Sequence, residues 1–214
     1  MEIDWFGHSC MRLRTREATV VNDPYNKSIG LSFARPRADV VTISHNHPGH
    51  DFAEGVRGEP KVINGPGEYE VSNVFITGVP TFHDKRSGRD RGKNTAYIMN
   101  IDGLNVCHLG DLGHVPTQTQ AEAFGSVDIL LIPVGGVSTI NASDAAEVVS
   151  LFEPQIVIPM HYRVPDLAFK LDTLDKFIKE MGGKEPNQVE MLKVTKDSLP
   201  KETQIVLLEM KQKE

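Results

Sequence analysis

Apolar residues in the first half of the chain fall in short runs that alternate with polar residues or are bounded by them, which is typical of β-strands. The run at residues 39–44 is mainly β-branched, and it predicts a strand that is buried on both faces. An Asp-Gly pair at 102–103, between two such runs, predicts the turn of a hairpin. The predicted strands cover residues 2–7, 11–15, 18–22, 39–44, 61–63, 69–71, 73–80, 95–101 and 104–109.

Helical and strand patterns alternate in the second half. Ala145, Ala146, Val149 and Phe152 recur at helical spacing, and the pair Gly182-Gly183 marks the end of a later amphipathic stretch. The predicted helices cover residues 117–124, 143–152 and 171–181, and the predicted strands 128–133, 155–160, 189–194 and 203–209. With no internal repeat or linker, these elements predict one α/β domain over 1–214, in which helices pack outside two sheets.

Composition excludes several classes of protein. The 214 residues are 39% hydrophobic and 24% charged, as in ordinary globular proteins, and two cysteines are too few for a disulfide scaffold. The apolar runs are shorter than a membrane-spanning helix needs, and the start of the chain lacks a cationic-then-apolar leader, so we expect a cytoplasmic protein without a membrane partner. A net charge of −6 disfavours nucleic acid as a partner.

Three of the eight histidines lie within six residues, directly after the predicted strand at 39–44. His45 and His47 are two apart and project to the same side of an extended backbone. Pro48-Gly49 then turns the chain, so that His50 can return to the same point. Three converging imidazoles suit a borderline metal such as zinc, although histidines in a solvated loop would give the same pattern.

Further ligand-type side chains follow other predicted strands. His83 follows the strand that begins at 73, Asp111 and His114 follow the strand at 104–109, and His161 follows the strand at 155–160. Any one of these residues alone would more often be a structural or surface residue. Because the carboxyl ends of several strands can share one crevice, the sequence predicts that these residues and the histidine cluster form one metal site.

The combination of H-x-H-x-x-H, a later histidine, Gly110-Asp111 and a histidine after an apolar strand resembles the metallo-β-lactamase-fold hydrolases. The opening Trp-Phe-Gly-His-Ser at 5–9 and the Asp-Pro pair at 23–24 look most like the branch that contains ascorbate-6-phosphate lactonase. The resemblance covers about residues 1–165. It implies a four-layer αβ/βα sandwich of two mixed β-sheets, with the metals at one edge between the sheets.

The resemblance also implies roles for individual residues. It assigns His45, His47 and His83 to a first metal, His50 and His161 to a second, and Asp111 to a bridge between the two. Asp23 would orient ligands through hydrogen bonds, and His8 would lie close to the site. The implied cofactors are one or two divalent ions, with zinc or manganese expected first and iron or nickel also compatible.

Gly49 is a departure from the family pattern, which reads H-x-H-x-D-H and places an aspartate here. His50, Asp111 and His161 would still supply three ligands, a sufficient number for an open catalytic site. We therefore expect the second metal to bind more weakly than in the usual pattern. Asp51, one residue further along, is a candidate to compensate.

A divalent metal lowers the pKa of bound water from about 15.7 to about 7, which predicts hydrolysis without a covalent enzyme intermediate. Asp111 would position the nucleophile. His114 is the first candidate for the general acid and Asp51 the second. The expected substrate is a small ester, lactone or phosphodiester.

The segment at 84–93 carries five basic residues and two acidic ones, next to His83. Arg91 and Asn94 are therefore candidates for binding an anionic substrate, although a solvated, flexible loop would give the same pattern. Two other functions remain open: a nuclease acting on RNA or DNA, and a metal-binding protein that has lost catalysis. The sequence leaves an oligomer open as well.

Overall fold

The computed structural model describes residues 1–211. Within these residues, the α-helices are α1 (Gln118–Glu122), α2 (Ala142–Phe152) and α3 (Leu174–Glu180). The strands are β1 (Glu2–Gly7), β2 (Cys10–Arg14), β3 (Thr19–Asn22), β4 (Val40–Ile43), β5 (Lys61–Asn64), β6 (Gly67–Val71), β7 (Val74–Phe82), β8 (Lys93–Ile101), β9 (Leu104–His108), β10 (Ile129–Pro133), β11 (Ile156–Met160), β12 (Asn187–Val189), β13 (Leu192–Lys193) and β14 (Gln204–Leu208).

The strands form two mixed sheets. The six-stranded sheet has the order β13-β1-β2-β3-β4-β5, in which β3, β4 and β5 are parallel. The eight-stranded sheet has the order β12-β14-β11-β10-β9-β8-β7-β6, and it is parallel from β12 to β9. Parallel strands leave their carboxyl ends at one edge of a sheet, so loops from both sheets gather there.

Alternation along the strands divides the apolar side chains between layers. Ile129 and Leu131 of β10 point into the central core between the sheets, where they join Trp5 and Met99. On the other face of the eight-stranded sheet, the intervening residues of β10 pack with α2 and α3. The helices therefore form an outer layer on this sheet.

The outer face of the six-stranded sheet is covered differently. Phe6, Val21 and Val41 pack with Tyr25 and with Ile29, which lies in a 3-10 turn. Within residues 1–211 this layer is built from such turns and loops in place of α-helices. The four layers expected from the resemblance are present, and one outer layer is irregular.

Some predicted elements differ from the observed ones. The predicted strand at 189–194 is wrong: β12 pairs with β14 in one sheet, whereas β13 pairs with β1 in the other. The helix predicted at 171–181 begins only at Leu174, because Asp172 bonds through its backbone to Gly135 and Arg163. The predicted domain over 1–214 includes residues 212–214, which lie outside the described residues. No described helix is long and apolar enough to cross a membrane.

Candidate metal centre

The candidate site lies where the loops after β1, β3, β4, β7, β9 and β11 meet. Three of its residues, His8, Asp23 and His161, each directly follow a strand and adopt positive φ angles of 52°, 43° and 52°. A left-handed conformation is costly for residues with a β-carbon, and such strain concentrates at functional sites. Here it ends each strand abruptly. The N–H of His161 then donates to the carbonyl of His8 at 3.0 Å, which ties the two sheets together at the site.

Asp111 is the centre of the cluster. Its Oδ2 lies 3.2 Å from Nε2 of His83 and 3.3 Å from Nε2 of His50, and its Oδ1 lies 3.3 Å from Nε2 of His161. The preceding residue must be glycine, because a β-carbon on Gly110 would lie 2.5 Å from Cβ of Ser44. The chain can therefore approach the strand that carries the histidine cluster closely enough for one carboxylate to reach several imidazoles.

Among the residues that the structure describes, two groups of side chains are arranged as metal ligands. The first group is His45, His83 and Asp111, and the second is His8, His50 and His161. Within each group the ligand atoms lie within 4.8 Å of one another. Because Asp111 also contacts His50 and His161, its carboxylate lies between the groups.

Asp23 orients the imidazoles from behind. Nδ1–H of His50 donates to Oδ2 of Asp23 at 2.9 Å, and the Ser44 hydroxyl donates to the same oxygen at 2.6 Å. Nδ1 of His45 lies 3.0 Å from the Ser44 hydroxyl oxygen, to which it donates in the tautomer that completes this chain. The network therefore leaves Nε2 of both His45 and His50 free to act as a ligand.

The electrostatics of the cluster fit a cation. Burial opposes the imidazolium of His50, but the carboxylates of Asp111 and Asp23 outweigh burial and raise the pKa of His50 to about 10. The two buried carboxylates thus attract a positive charge, which a divalent ion would supply. Nε2 of His45 is buried without a hydrogen-bond partner. Imidazole and carboxylate together suit zinc, manganese, iron or nickel, so the residues present fit the expected metals.

A cavity of about 600 Å³ opens over the two groups. Ile29, Val137, Phe169 and Leu171 give it an apolar wall. Outside the ligand groups, its charged lining consists of Arg91, Lys170 and Asp90, and Asp90 is paired with Arg86. Val137 is 68% exposed and has a φ of 59°, an unusual conformation for a β-branched residue. A volume of this size, with a few convergent polar groups, is typical of a small-molecule site.

The basic loop after His83 is ordered around one carboxylate. Asp84 accepts hydrogen bonds from four backbone N–H groups of the loop, at 2.7 to 3.0 Å. Burial opposes ionisation, but these amides outweigh burial and lower the pKa of Asp84 to about 2. The loop folds back so that Arg91 lines the cavity, and Nη2 of Arg91 lies 3.4 Å from the carbonyl of Val137.

Most of the predicted ligands come together, but His47 does not join them. His45, His50, His83, Asp111 and His161 belong to the two groups. His47 is exposed and lies outside both groups, although it lines the cavity and stacks on His45 with ring centroids 5.9 Å apart.

His114 and Asp51 lie outside the cavity, which argues against both as general acids. Nδ1–H of His114 donates to the carbonyl of Val115 at 3.1 Å, and the N–H of Phe82 donates to its Nε2 at 3.3 Å. The ring is therefore held by backbone on both sides. Asp51 belongs to the turn closed by its N–H and the carbonyl of His47, and it joins neither ligand group.

Asn94 lies behind Asp111 and does not face the cavity. Its Nδ2 donates to Oγ1 of Thr81 at 2.7 Å and to the carbonyl of Leu109 at 2.9 Å, and its Oδ1 accepts the N–H of Asp111 at 3.0 Å. With 1% exposure and these bonds made, it positions the Asp111 backbone and is not placed to bind substrate.

Sequence reasoning missed part of the cavity wall. Val137, Phe169 and Lys170 lie in irregular segments, where neither period nor motif marks a residue. Ser44 was assigned only to a strand, although it connects Asp23 with His45. Its position directly before the histidine cluster was the available signal.

Comparison with known proteins agrees with this geometry. The beta-lactamase superfamily domain matches residues 2–161. The crystal structure of a candidate Zn-dependent hydrolase of the metallo-beta-lactamase superfamily from Thermotoga maritima is 40% identical, with a TM-score of 0.81 and coverage of 97% of each chain. A UPF0173 metal-dependent hydrolase of Pyrococcus abyssi is 26% identical over 76% of this chain and 84% of its own length.

A candidate metal-dependent hydrolase from Parabacteroides distasonis shares the fold, with a TM-score of 0.67 at 20% identity over 98% of this chain and 93% of that one. The predicted metallo-β-lactamase fold is confirmed, whereas the narrower likeness to the ascorbate-6-phosphate lactonase branch stays a prediction. This chain is a metal-dependent hydrolase of the metallo-β-lactamase superfamily.

Proposed function

We propose that this hydrolase cleaves a small anionic ester, lactone or phosphodiester at a two-metal centre, with zinc or manganese as the metal. One observation carries the proposal. The cavity that contains both ligand groups also contains two cationic side chains and an apolar wall. The site therefore offers separate places for a reacting centre, a negative group and a carbon skeleton.

The ligand groups define the reacting end of the cavity. In the proposed arrangement, His45 and His83 would hold one ion, His50 and His161 would hold the other, and the Asp111 carboxylate would be available to both. The chemistry that such ions supply is Lewis acidity toward a carbonyl or phosphoryl oxygen and acidification of water. His47 already lines the cavity beside His45, and we propose that rotation of its side chain adds it to the first group.

Arg91 and Lys170 would bind the negative group of the substrate. Both are exposed and line the cavity, and Asp84 fixes the loop that carries Arg91. Phe169 and Val137, exposed at 38% and 68%, would contact the carbon skeleton. Apolar side chains left exposed beside a polar centre are typical of a ligand-binding surface.

The first test is metal content followed by hydrolysis. Protein purified without chelator or histidine tag should retain metal, and after reloading with zinc or manganese it should hydrolyse p-nitrophenyl esters, simple lactones or bis(p-nitrophenyl) phosphate. Asp111→Asn is the matched inactive control, because it keeps the volume of the side chain and removes the carboxylate. Metal-loaded protein that is no faster than Asp111→Asn on all three substrate types would refute the proposal.

The charge of the substrate is tested separately. Arg91→Ala and Lys170→Ala should each raise KM for a carboxylated ester, while KM for the matching neutral ester stays the same. Exposed ion pairs contribute about 0.2–1 kcal/mol, so each change should be about 1.5–5-fold. Equal effects on both esters would show that these side chains do not recognise charge.

A further inference from the structure

The backbone conformation at position 49 does not require glycine. Its φ lies outside the left-handed region, so any residue could adopt the conformation. A β-carbon built here would instead meet the ring of His8, at 2.9 Å from Nε2 and 3.2 Å from Cδ2. The next atom, Cγ2 of Ile29, is at an ordinary 3.7 Å. The His8 ring therefore fills the space that a side chain at position 49 would enter.

His8 is held in that space by the fold. Its carbonyl accepts the indole N–H of Trp5 and the backbone N–H of His161, both at 3.0 Å. Its φ of 52° turns the side chain toward the cluster, and the edge of Phe169 packs against the ring with centroids 5.5 Å apart. The position of the ring is thus set by backbone and packing contacts.

The ring nitrogens of His8 have no ordinary structural partners. Nδ1 is buried without a hydrogen bond, and Nε2 faces Nε2 of His50 at 3.2 Å. A buried polar group normally has its hydrogen bonds made. His108 shows the contrast: it is fully buried, and backbone groups of Ser9 and Gly110 bond to both of its nitrogens. Two imidazole nitrogens that face each other need a shared cation or proton.

We propose that His8 is a ligand of the second metal and takes the place of the carboxylate that Gly49 lacks. The ligands of that ion are then His8, His50, His161 and the shared Asp111. This inference rests on the proposed two-metal centre. Replacing a carboxylate by an imidazole makes the second site one charge unit more positive, and it shifts the preference toward zinc, nickel or iron and away from manganese.

The test uses the 214-residue chain and three variants, with bound zinc counted by mass spectrometry and its affinity measured by chelator competition. His8→Asn tolerates the left-handed backbone but shortens the side chain. In the double variant His8→Gly/Gly49→Asp, the aspartate that is usual in the family pattern can enter the space vacated by the His8 ring. His114→Asn is the matched control, since it removes a histidine whose two ring nitrogens bond to backbone groups outside the ligand groups.

Removal of orienting partners weakens metal binding about 10–100-fold, so loss of a direct ligand should weaken the second ion by more than about 100-fold. We expect two equivalents in the parent protein, one in His8→Asn, two in the double variant and two in His114→Asn. ¹⁵N NMR gives a direct readout on the parent protein. The resonance of one ring nitrogen of His8 should shift as the second equivalent of zinc binds.

Failure of the inference differs from failure of the proposed function. Two equivalents of unchanged affinity in His8→Asn, or a His8 ¹⁵N signal that zinc does not move, would overturn the role of His8 and leave the two-metal centre intact. Fewer than two equivalents in the reloaded parent protein would overturn the two-metal centre, and with it the role of His8.

Discussion

Asp23 is the residue whose replacement tests the metal centre most selectively. One of its carboxylate oxygens accepts from Nδ1–H of His50 and from the Ser44 hydroxyl, and the other accepts the Ser44 N–H at 2.8 Å. Asp23→Asn keeps the size of the side chain but converts one acceptor into an NH₂ donor. In either orientation of the amide, the new NH₂ group faces an existing N–H donor, which is the backbone N–H of Ser44 or Nδ1–H of His50.

The less costly solution is a change of tautomer at His50. If Nδ1 of His50 accepts from the new amide, the ring proton moves to Nε2, which can then no longer act as a metal ligand. Changes to such orienting partners typically weaken metal binding about 10–100-fold, which corresponds to about 1.4–2.7 kcal/mol. The apo protein loses one charge-assisted hydrogen bond and should be destabilised by about 1.5–3 kcal/mol.

Chelator competition with zinc measures the affinity, and urea unfolding of the apo protein measures the stability. Asp128→Asn is the matched control. Asp128 is a buried aspartate at the amino end of β10, bonded to Lys196 and to the N–H of Asn105, and it lies away from the metal centre. It should lose stability and keep zinc affinity. Zinc affinity in Asp23→Asn equal to that of the parent protein would refute the proposed orientation of His50.

Three further predictions concern other parts of the chain. Asp4→Ala removes a buried carboxylate whose Oδ2 lies 2.6 to 2.9 Å from nitrogens of the Arg12 guanidinium. Urea unfolding should show that the free energy of unfolding falls by about 3–5 kcal/mol, and a fall below about 1 kcal/mol would contradict a buried ion pair. Asp84→Ala removes the carboxylate that accepts hydrogen bonds from four backbone N–H groups of the loop. Trypsin should then cut the loop at least about 10-fold faster. An unchanged rate of cleavage would mean that other contacts order the loop. Cys10 and Cys107 have no exposed surface, and burial raises the pKa of both thiols, so an aromatic disulfide reagent should label them only in concentrated guanidinium chloride; rapid labelling of the folded protein would contradict their burial.

The sequence predicted the parts of this molecule that depend on period and on strand ends. Strands such as β4 and β10 are buried on both faces, so their apolar runs were visible without an alignment. His83, Asp111 and His161 could be assigned to one site because carboxyl ends of strands converge. The resemblance added the pairing of these ligands with individual metals.

The remaining features depend on contacts that neither period nor spacing encodes. His114 and Asn94 were singled out because they adjoin the site, but backbone groups engage His114 on both sides and Asn94 bonds behind Asp111. Whether Asp51 can reach the cluster depends on the turn at 47–51, and the sequence could not resolve this. The proposed role of His8 depends on the space beside Gly49, which contains its ring and which no sequence spacing encodes.

The two ligand groups have a mechanical consequence for the sandwich. His8, His45 and His50 follow strands of the six-stranded sheet, whereas His83, Asp111 and His161 follow strands of the eight-stranded sheet. Each group therefore takes ligands from both sheets, and neither sheet alone can complete a site. An ion bound at either group would link the two sheets, so the sheets could not separate without losing the ion. At a free-ion concentration 100 times the dissociation constant, this linkage would stabilise the fold by about 2.7 kcal/mol, so the same residues that serve chemistry would also hold the two halves of the molecule together.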